Sequence, residues 1–143
     1  MGLKTAALKK SIWVFHVACS PCNNCDIEIL DLLTPRFDVE RFGIVLVGSP
    51  RHADALLITG VANTHVTPRL IETYRATAKP CVCFLFGACA SHGNFFRGSY
   101  NVPRRIDEII REEDPNAIIV YIPGCPPKPE AMIAGVVKAL SVL

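Results

Sequence analysis

Residues 12–33 read IWVFHVACSPCNNCDIEILDLL, and the folding of this stretch decides the fold of the whole chain. Its opening, Ile12 to Ala18, is a continuous apolar run of strand length. Its end, Asn24 to Leu33, is a helical candidate stopped by Thr34-Pro35. Between them stand Cys19, Cys22 and Cys25 at even spacing, so that two overlapping C-x-x-C pairs share Cys22. A strand that feeds a cysteine loop that feeds a helix is the first unit of an α/β fold.

The rest of the chain repeats that unit. Apolar runs bounded by turn signals occur at Ile44 to Val47, Ala55 to Thr59, Cys81 to Phe86 and Ala117 to Ile122. Helical candidates fall at Pro68 to Thr77, Pro103 to Arg111 and Pro129 to Leu140, each opening with a proline where its missing N–H costs nothing. Near-continuous apolarity in the strands suggests burial on both faces, as in a mostly parallel sheet. One link resists: only GSPRHAD separates the Ile44 and Ala55 runs, too little for a parallel crossover of a dozen residues. One of the two is therefore expected to be an edge piece, antiparallel, or no strand.

In open parallel sheets the binding loops follow the carboxyl ends of the strands, along one edge. CSPCNNC follows the first strand, GACASHGNF the Cys81 strand and PGCPPKPE the Ala117 strand, so three cysteine loops should meet there. A C-x-x-C pair with single cysteines from two remote loops gives four thiolates, enough for zinc or an iron-sulfur cluster. Single ligands from separate loops suit a large guest, which favours [4Fe-4S]. Asn23 and Asn24 are expected to cap the following helix and aim its positive end at that guest, with Gly87, Gly93 and Gly124 allowing close backbone approach. The prolines around Cys125 fix its loop.

Other assignments use the same residues. A thioredoxin-like reading makes Cys22 a nucleophile resolved by Cys19 or Cys25, but leaves Cys89 and Cys125 idle. A structural zinc module is the non-enzymatic reading. A ferredoxin pattern would use Cys19, Cys22 and Cys25 with Cys125, and make Cys89 the spare. Cys81 and Cys83 alternate within an apolar strand and are expected to be buried hydrophobes on one face.

Composition sets the outer bounds. The 143 residues suit a single domain, 1–143. Half are hydrophobic and mean hydropathy is +0.32, an excess that suggests burial against partner subunits. No run reaches the roughly 18 apolar residues of a membrane span. A net charge of +2 without a basic cluster argues against nucleic acid. Seven cysteines, an odd number, fit metal ligation in a reducing compartment better than a disulfide framework. The basic start and apolar run before Cys19 imitate an export signal, but His16 interrupts the run.

Taken together, CNNCDIEIL, FDVERFGIVLVGSPRHADALLITG, FGACASHGNF and IPGCPPKPE resemble the small subunit of [NiFe] hydrogenases. They resemble in particular the short form of membrane-bound energy-converting hydrogenases and formate hydrogenlyase, itself similar to the cluster-bearing 20 kDa subunit of respiratory complex I. The likeness runs from about Lys10 almost to the end. It implies a flavodoxin-like α/β fold, mostly parallel with helices on both faces. It also implies one [4Fe-4S] cluster on Cys22, Cys25, Cys89 and Cys125, with Cys19 left over. The implied partners are a [NiFe]-hydrogenase-type large subunit, a ferredoxin-like [4Fe-4S] subunit and integral membrane subunits, around a peripheral chain on the cytoplasmic side of the membrane.

The implied activity is electron relay between the ferredoxin-like subunit and the large-subunit active site, hydrogen chemistry being coupled to ion translocation. This makes the chain an oxidoreductase subunit that is not catalytic alone. A cluster-bearing subunit of a complex I-like quinone or sulfur reductase without [NiFe] is the alternative. Complex I subunits carry adjacent cysteines where this chain has C-x-x-C, which favours hydrogenase. The short form is also expected to be without the leader and C-terminal region of exported uptake enzymes. Phe37, Phe42 and Arg51 are expected near subunit contacts. Glu28, three residues after Cys25, matches a glutamate of the complex I relatives and is a candidate for proton handling or cluster tuning. His92, just after Cys89, is a candidate hydrogen-bond donor to sulfur.

Overall fold

The computed structural model describes residues 11–142. The strands are β1 (Ile12–Cys19), β2 (Ile44–Leu46), β3 (Ala55–Gly60), β4 (Val82–Phe86) and β5 (Ile118–Ile122). The helices are α1 (Asn24–Asp31), α2 (Thr67–Ala76), α3 (Gly87–His92), α4 (Ile106–Glu113) and α5 (Pro129–Val142). The sheet order is β2-β1-β3-β4-β5 and every pairing is parallel, the doubly wound order of flavodoxin-like folds, which reverses between β1 and β3.

Strand alternation sorts the core into two layers. Ile12, Val14, Ala55, Leu57, Val82, Phe84 and Phe86 face α1 and α5, where Ile29, Leu32, Met132 and Val136 cover them. Val17, Cys19, Leu56, Ile58, Cys83 and Leu85 point the opposite way, under Leu70 and Tyr74 of α2, Ala90 of α3 and Ile106, Ile109 and Ile110 of α4. Every residue of β3 and β4 is buried, which is why neither shows polar alternation. Cys81 and Cys83 lie in the second layer as small apolar groups, as expected.

The short link between β2 and β3 is resolved by register. β2 is a three-residue edge strand, parallel and not antiparallel, that pairs only with the start of β1 and ends with Leu46 opposite Val14. β3 begins with Ala55 opposite the same Val14. The connection therefore has no need to run back along the sheet. It crosses β1 sideways, about 10 Å for two strand spacings, and residues 47–54 with the 3-10 turn Pro50–His52 are ample.

Three local features depart from expectation. α4 starts at Ile106 and not at Pro103, because Arg105 is still extended and its N–H is taken by the Glu108 carboxylate at 3.1 Å. The GACASH segment is the short helix α3 and not a loop, entered directly from β4. Asn23 occupies the position before α1, but in a left-handed conformation and without a side-chain capping bond, so the expected asparagine cap is not made.

Candidate metal centre

Because the strands are parallel and in register, their carboxyl ends lie level. Ala18 pairs with Thr59, Thr59 with Phe86, and Phe86 with Ile122. The chain leaves this rung three times through a cysteine segment. β1 continues into Cys22 and Cys25 at the start of α1, β4 into Cys89 on α3, and β5 into Cys125.

These segments are joined to one another. The Ala88 N–H donates to the Gly124 carbonyl at 2.7 Å, tying the β4 exit to the β5 exit. Gly87 is where all three meet: a Cβ placed there would stand 2.8 Å from Cys25 Sγ, 3.4 Å from the Gly124 oxygen and 3.8 Å from Pro127 Cδ. Its φ of +84° is open to glycine and costly for other residues.

The thiols form one electrostatic set. Cys25 is half-buried, and its thiol is pushed up to about 11, first by burial and then by Cys22, Cys89, Asp26 and Cys125. Held as thiolates, the four sulfurs would repel one another, and a multivalent cationic centre bound among them would relieve that repulsion and displace the protons. Among the described residues, no three His, Cys, Asp or Glu side chains close on a point that could hold a single metal ion. Four thiols supplied by three segments, with glycine at 87 keeping a methyl group away from Cys25 Sγ, are a donor set that suits a cluster held by ligands from several loops. The residues present thus fit a [4Fe-4S] group.

The remaining cysteines are placed elsewhere. Cys19 is 0% exposed in the second core layer, and burial pushes its thiol up to about 12. That burial speaks against the ferredoxin reading and against Cys19 as the resolving thiol of the thioredoxin reading, for which Cys25 was the other candidate. Cys22 and Cys125 are exposed, so the thiol set lies at the surface.

Glu28 is half-buried on α1, lining a shallow groove with Ile27, Leu30, Asp31 and Thr34. His92 is exposed at the end of α3. The contact to Cys89 is offered by Asn94, whose amide nitrogen lies 3.8 Å from Cys89 Sγ. Asn94 has a φ of +46°, which asparagine tolerates better than most residues; the Gly93-Asn94 pair was the only sequence signal for it. Also unread in the sequence is a polar trio beneath Cys25, formed by Asp26, Thr59 and His16.

The sequence pattern of one family, described as NADH ubiquinone oxidoreductase, 20 kDa subunit, matches residues 22–139. The chain belongs to the NADH ubiquinone oxidoreductase 20 kDa subunit family. Among members of this family and their kin, it is 47% identical over 134 residues to a protein of Pyrococcus furiosus named as a probable membrane-bound hydrogenase subunit, covering 94% of this chain and 77% of that one. Formate hydrogenlyase subunit 7 of Escherichia coli is 41% identical over 95% of this chain, which spans only 51% of it. An NADH-quinone oxidoreductase subunit of Geotalea daltonii is 37% identical over 96% of this chain and 75% of its own length.

Among solved structures, a chain of the archaeal membrane-bound sulfane sulfur reductase superposes with a TM-score of 0.78 at 33% identity, over 98% of this chain and 74% of that one. A [NiFeSe] hydrogenase chain of Desulfomicrobium baculatum superposes with a TM-score of 0.70 at 19% identity over 92% of this chain and 63% of that one, a likeness of fold. The 20 kDa-family chain is thus an electron-transfer subunit of the membrane-bound hydrogenase and complex I-like group, an oxidoreductase subunit with a flavodoxin-like fold. Among its described residues no helix is long and apolar enough to cross a membrane.

Proposed function

We propose that the chain holds one [4Fe-4S] cluster on Cys22, Cys25, Cys89 and Cys125 and serves as the electron relay beside the large-subunit active site of an energy-converting [NiFe] hydrogenase. The observation that carries this reading is the meeting of three carboxyl-edge segments at Gly87, with Cys25 Sγ and the Gly124 carbonyl around it. When bound, the cluster supplies one-electron exchange. The protein's part is to hold the four thiolates, to keep a methyl group out at Gly87, and to offer the Asn94 amide to Cys89.

The surface beside the thiols supports a partner there. Phe95 and Tyr100, on the segment that follows Cys89, are 92% and 98% exposed, and Ile27 and Leu30 of α1 are also exposed. Aromatic anchors of this kind are enriched in subunit interfaces. Phe42 is exposed with Arg41 over its ring, in keeping with a second contact. The chain is then peripheral, on the cytoplasmic side, between a large subunit, a ferredoxin-like subunit and integral membrane subunits.

A second reading is supported by the likeness to the sulfane sulfur reductase chain: the same fold could serve a quinone or sulfur reductase without [NiFe]. Purification of the intact complex separates the two. A large subunit with two C-x-x-C pairs, bound nickel and hydrogen evolution are expected. A nickel-free complex that reduces quinone or sulfur instead would overturn the hydrogenase assignment while leaving the cluster assignment standing.

A further inference from the structure

On the α1 side of the sheet, Ile12, Val14, Ala55 and Leu57 are apolar and covered. The next inward positions toward the carboxyl edge are polar: His16 on β1 and Thr59 on β3. Both face Asp26 in the first turn of α1. Thr59 is 0% exposed, and its hydroxyl donates to Asp26 Oδ1 at 2.6 Å. His16 Nε2 lies 3.0 Å from the same oxygen and 3.2 Å from Thr59 Oγ1. The single hydroxyl hydrogen of Thr59 is committed to Asp26, and with Asp26 as an accepting carboxylate the tautomer that satisfies both contacts carries its hydrogen on His16 Nε2. Two donors from two strands converge on one oxygen of the residue that follows Cys25.

A buried threonine and a nearly buried carboxylate are costly to desolvate unless each is hydrogen-bonded, and here each satisfies the other. We propose that Asp26, pinned by Thr59 and His16, is a positioning and charge-setting residue for the cluster held by the neighbouring cysteines: it fastens the Cys25 turn to the sheet and lowers the potential at which that cluster accepts an electron. This rests on the cluster assignment made above. The physical reason is Coulombic. An electron added to a thiolate-bound cluster meets the fixed negative charge of Asp26, and with the side chain only 17% exposed solvent and salt screen that repulsion weakly.

The substitution Asp26→Asn keeps an oxygen for both donors and removes the charge. In the full chain, purified anaerobically with its accompanying subunits, an EPR-monitored redox titration should show the cluster potential shifted upward in Asp26→Asn at unchanged iron content. Thr59→Val, which frees the carboxylate but keeps it, should give a smaller upward shift. Asp31→Asn, at the far end of α1, should give none. An unshifted potential in Asp26→Asn, or an equal shift in Asp31→Asn, overturns the proposal while the cluster assignment survives. If Asp26→Asn fails to assemble a cluster, Thr59→Val decides, an unchanged potential overturning it. A wild-type chain without an iron-sulfur signal overturns both.

Discussion

Replacing Gly87 by alanine tests the meeting point of the three cysteine segments. Two costs follow, and they act on different states. The backbone at φ +84° imposes about 1–2 kcal/mol on any residue with a Cβ, whether or not a cluster is bound. The new methyl also falls 2.8 Å from Cys25 Sγ, well inside the roughly 3.5–4.0 Å of optimal contact. In the metal-free chain the Cys25 side chain can rotate away at small cost. Once its sulfur is held as a ligand it cannot, and an off-rotamer displacement of about 0.5–1.5 kcal/mol weakens cluster retention by about two- to tenfold. Gly98 is the control, with a φ of +77° and nothing within 4 Å of its Cβ position. Urea unfolding of the metal-free variants, with iron retention against a chelator for the loaded ones, reads the two costs separately. Gly87→Ala and Gly98→Ala should lose similar stability, and only Gly87→Ala should lose iron faster. Equal retention in the two variants would refute the placement of Cys25 Sγ toward the bound group.

The other expectations are simpler. Cys19→Ser should retain the cluster while costing about 1–3 kcal/mol for a buried hydroxyl in an apolar layer, whereas Cys25→Ser should lose cluster; iron content and unfolding curves check both. The Cys19 thiol, raised from 9.0 to about 12 by burial, ionises more easily in the unfolded chain. Its contribution to stability is therefore complete below about pH 9 and lost as pH rises toward 12, and Cys19→Ala should flatten that part of the pH-stability curve of the metal-free chain. Glu28→Gln should slow proton-coupled turnover of the complex while changing stability by less than about 0.5 kcal/mol; unchanged turnover and cluster potential would remove Glu28 from the mechanism. Phe84→Ala, at a fully buried position between layers, should destabilise by about 3–5 kcal/mol, read by chemical denaturation.

What the sequence discloses follows from which interactions are local. β3 and β4 are legible because burial on both faces leaves them uniformly apolar. The arrival of three cysteine segments at one edge follows from parallel strands, since every β-to-α exit lies on the same side, but that rule does not separate Cys19 from Cys22 and Cys25, a choice that came from the family resemblance. The parallel placement of β2 is not legible, because it depends on Leu46 and Ala55 flanking the same Val14, a matter of register between strands far apart in sequence. α3 is too short for a helical period to show. The Asp26-Thr59-His16 trio is hidden for the same reason as β2: its members are 10 and 33 residues apart and are brought together only by the pairing of β1 with β3. Asn94 lies beyond the left-handed turn at Gly93, which brings its amide back to Cys89, a contact set by backbone conformation and not by a sequence pattern.

The most direct test is anaerobic iron and sulfide analysis of the full chain together with EPR of its reduced form. About four iron and four sulfide per chain are expected, with the signal of a single reduced [4Fe-4S] centre, lost in Cys25→Ser and kept in Cys19→Ser. Stoichiometric zinc without sulfide, or a cluster that disappears with Cys19 and persists without Cys89, would contradict the four-cysteine assignment.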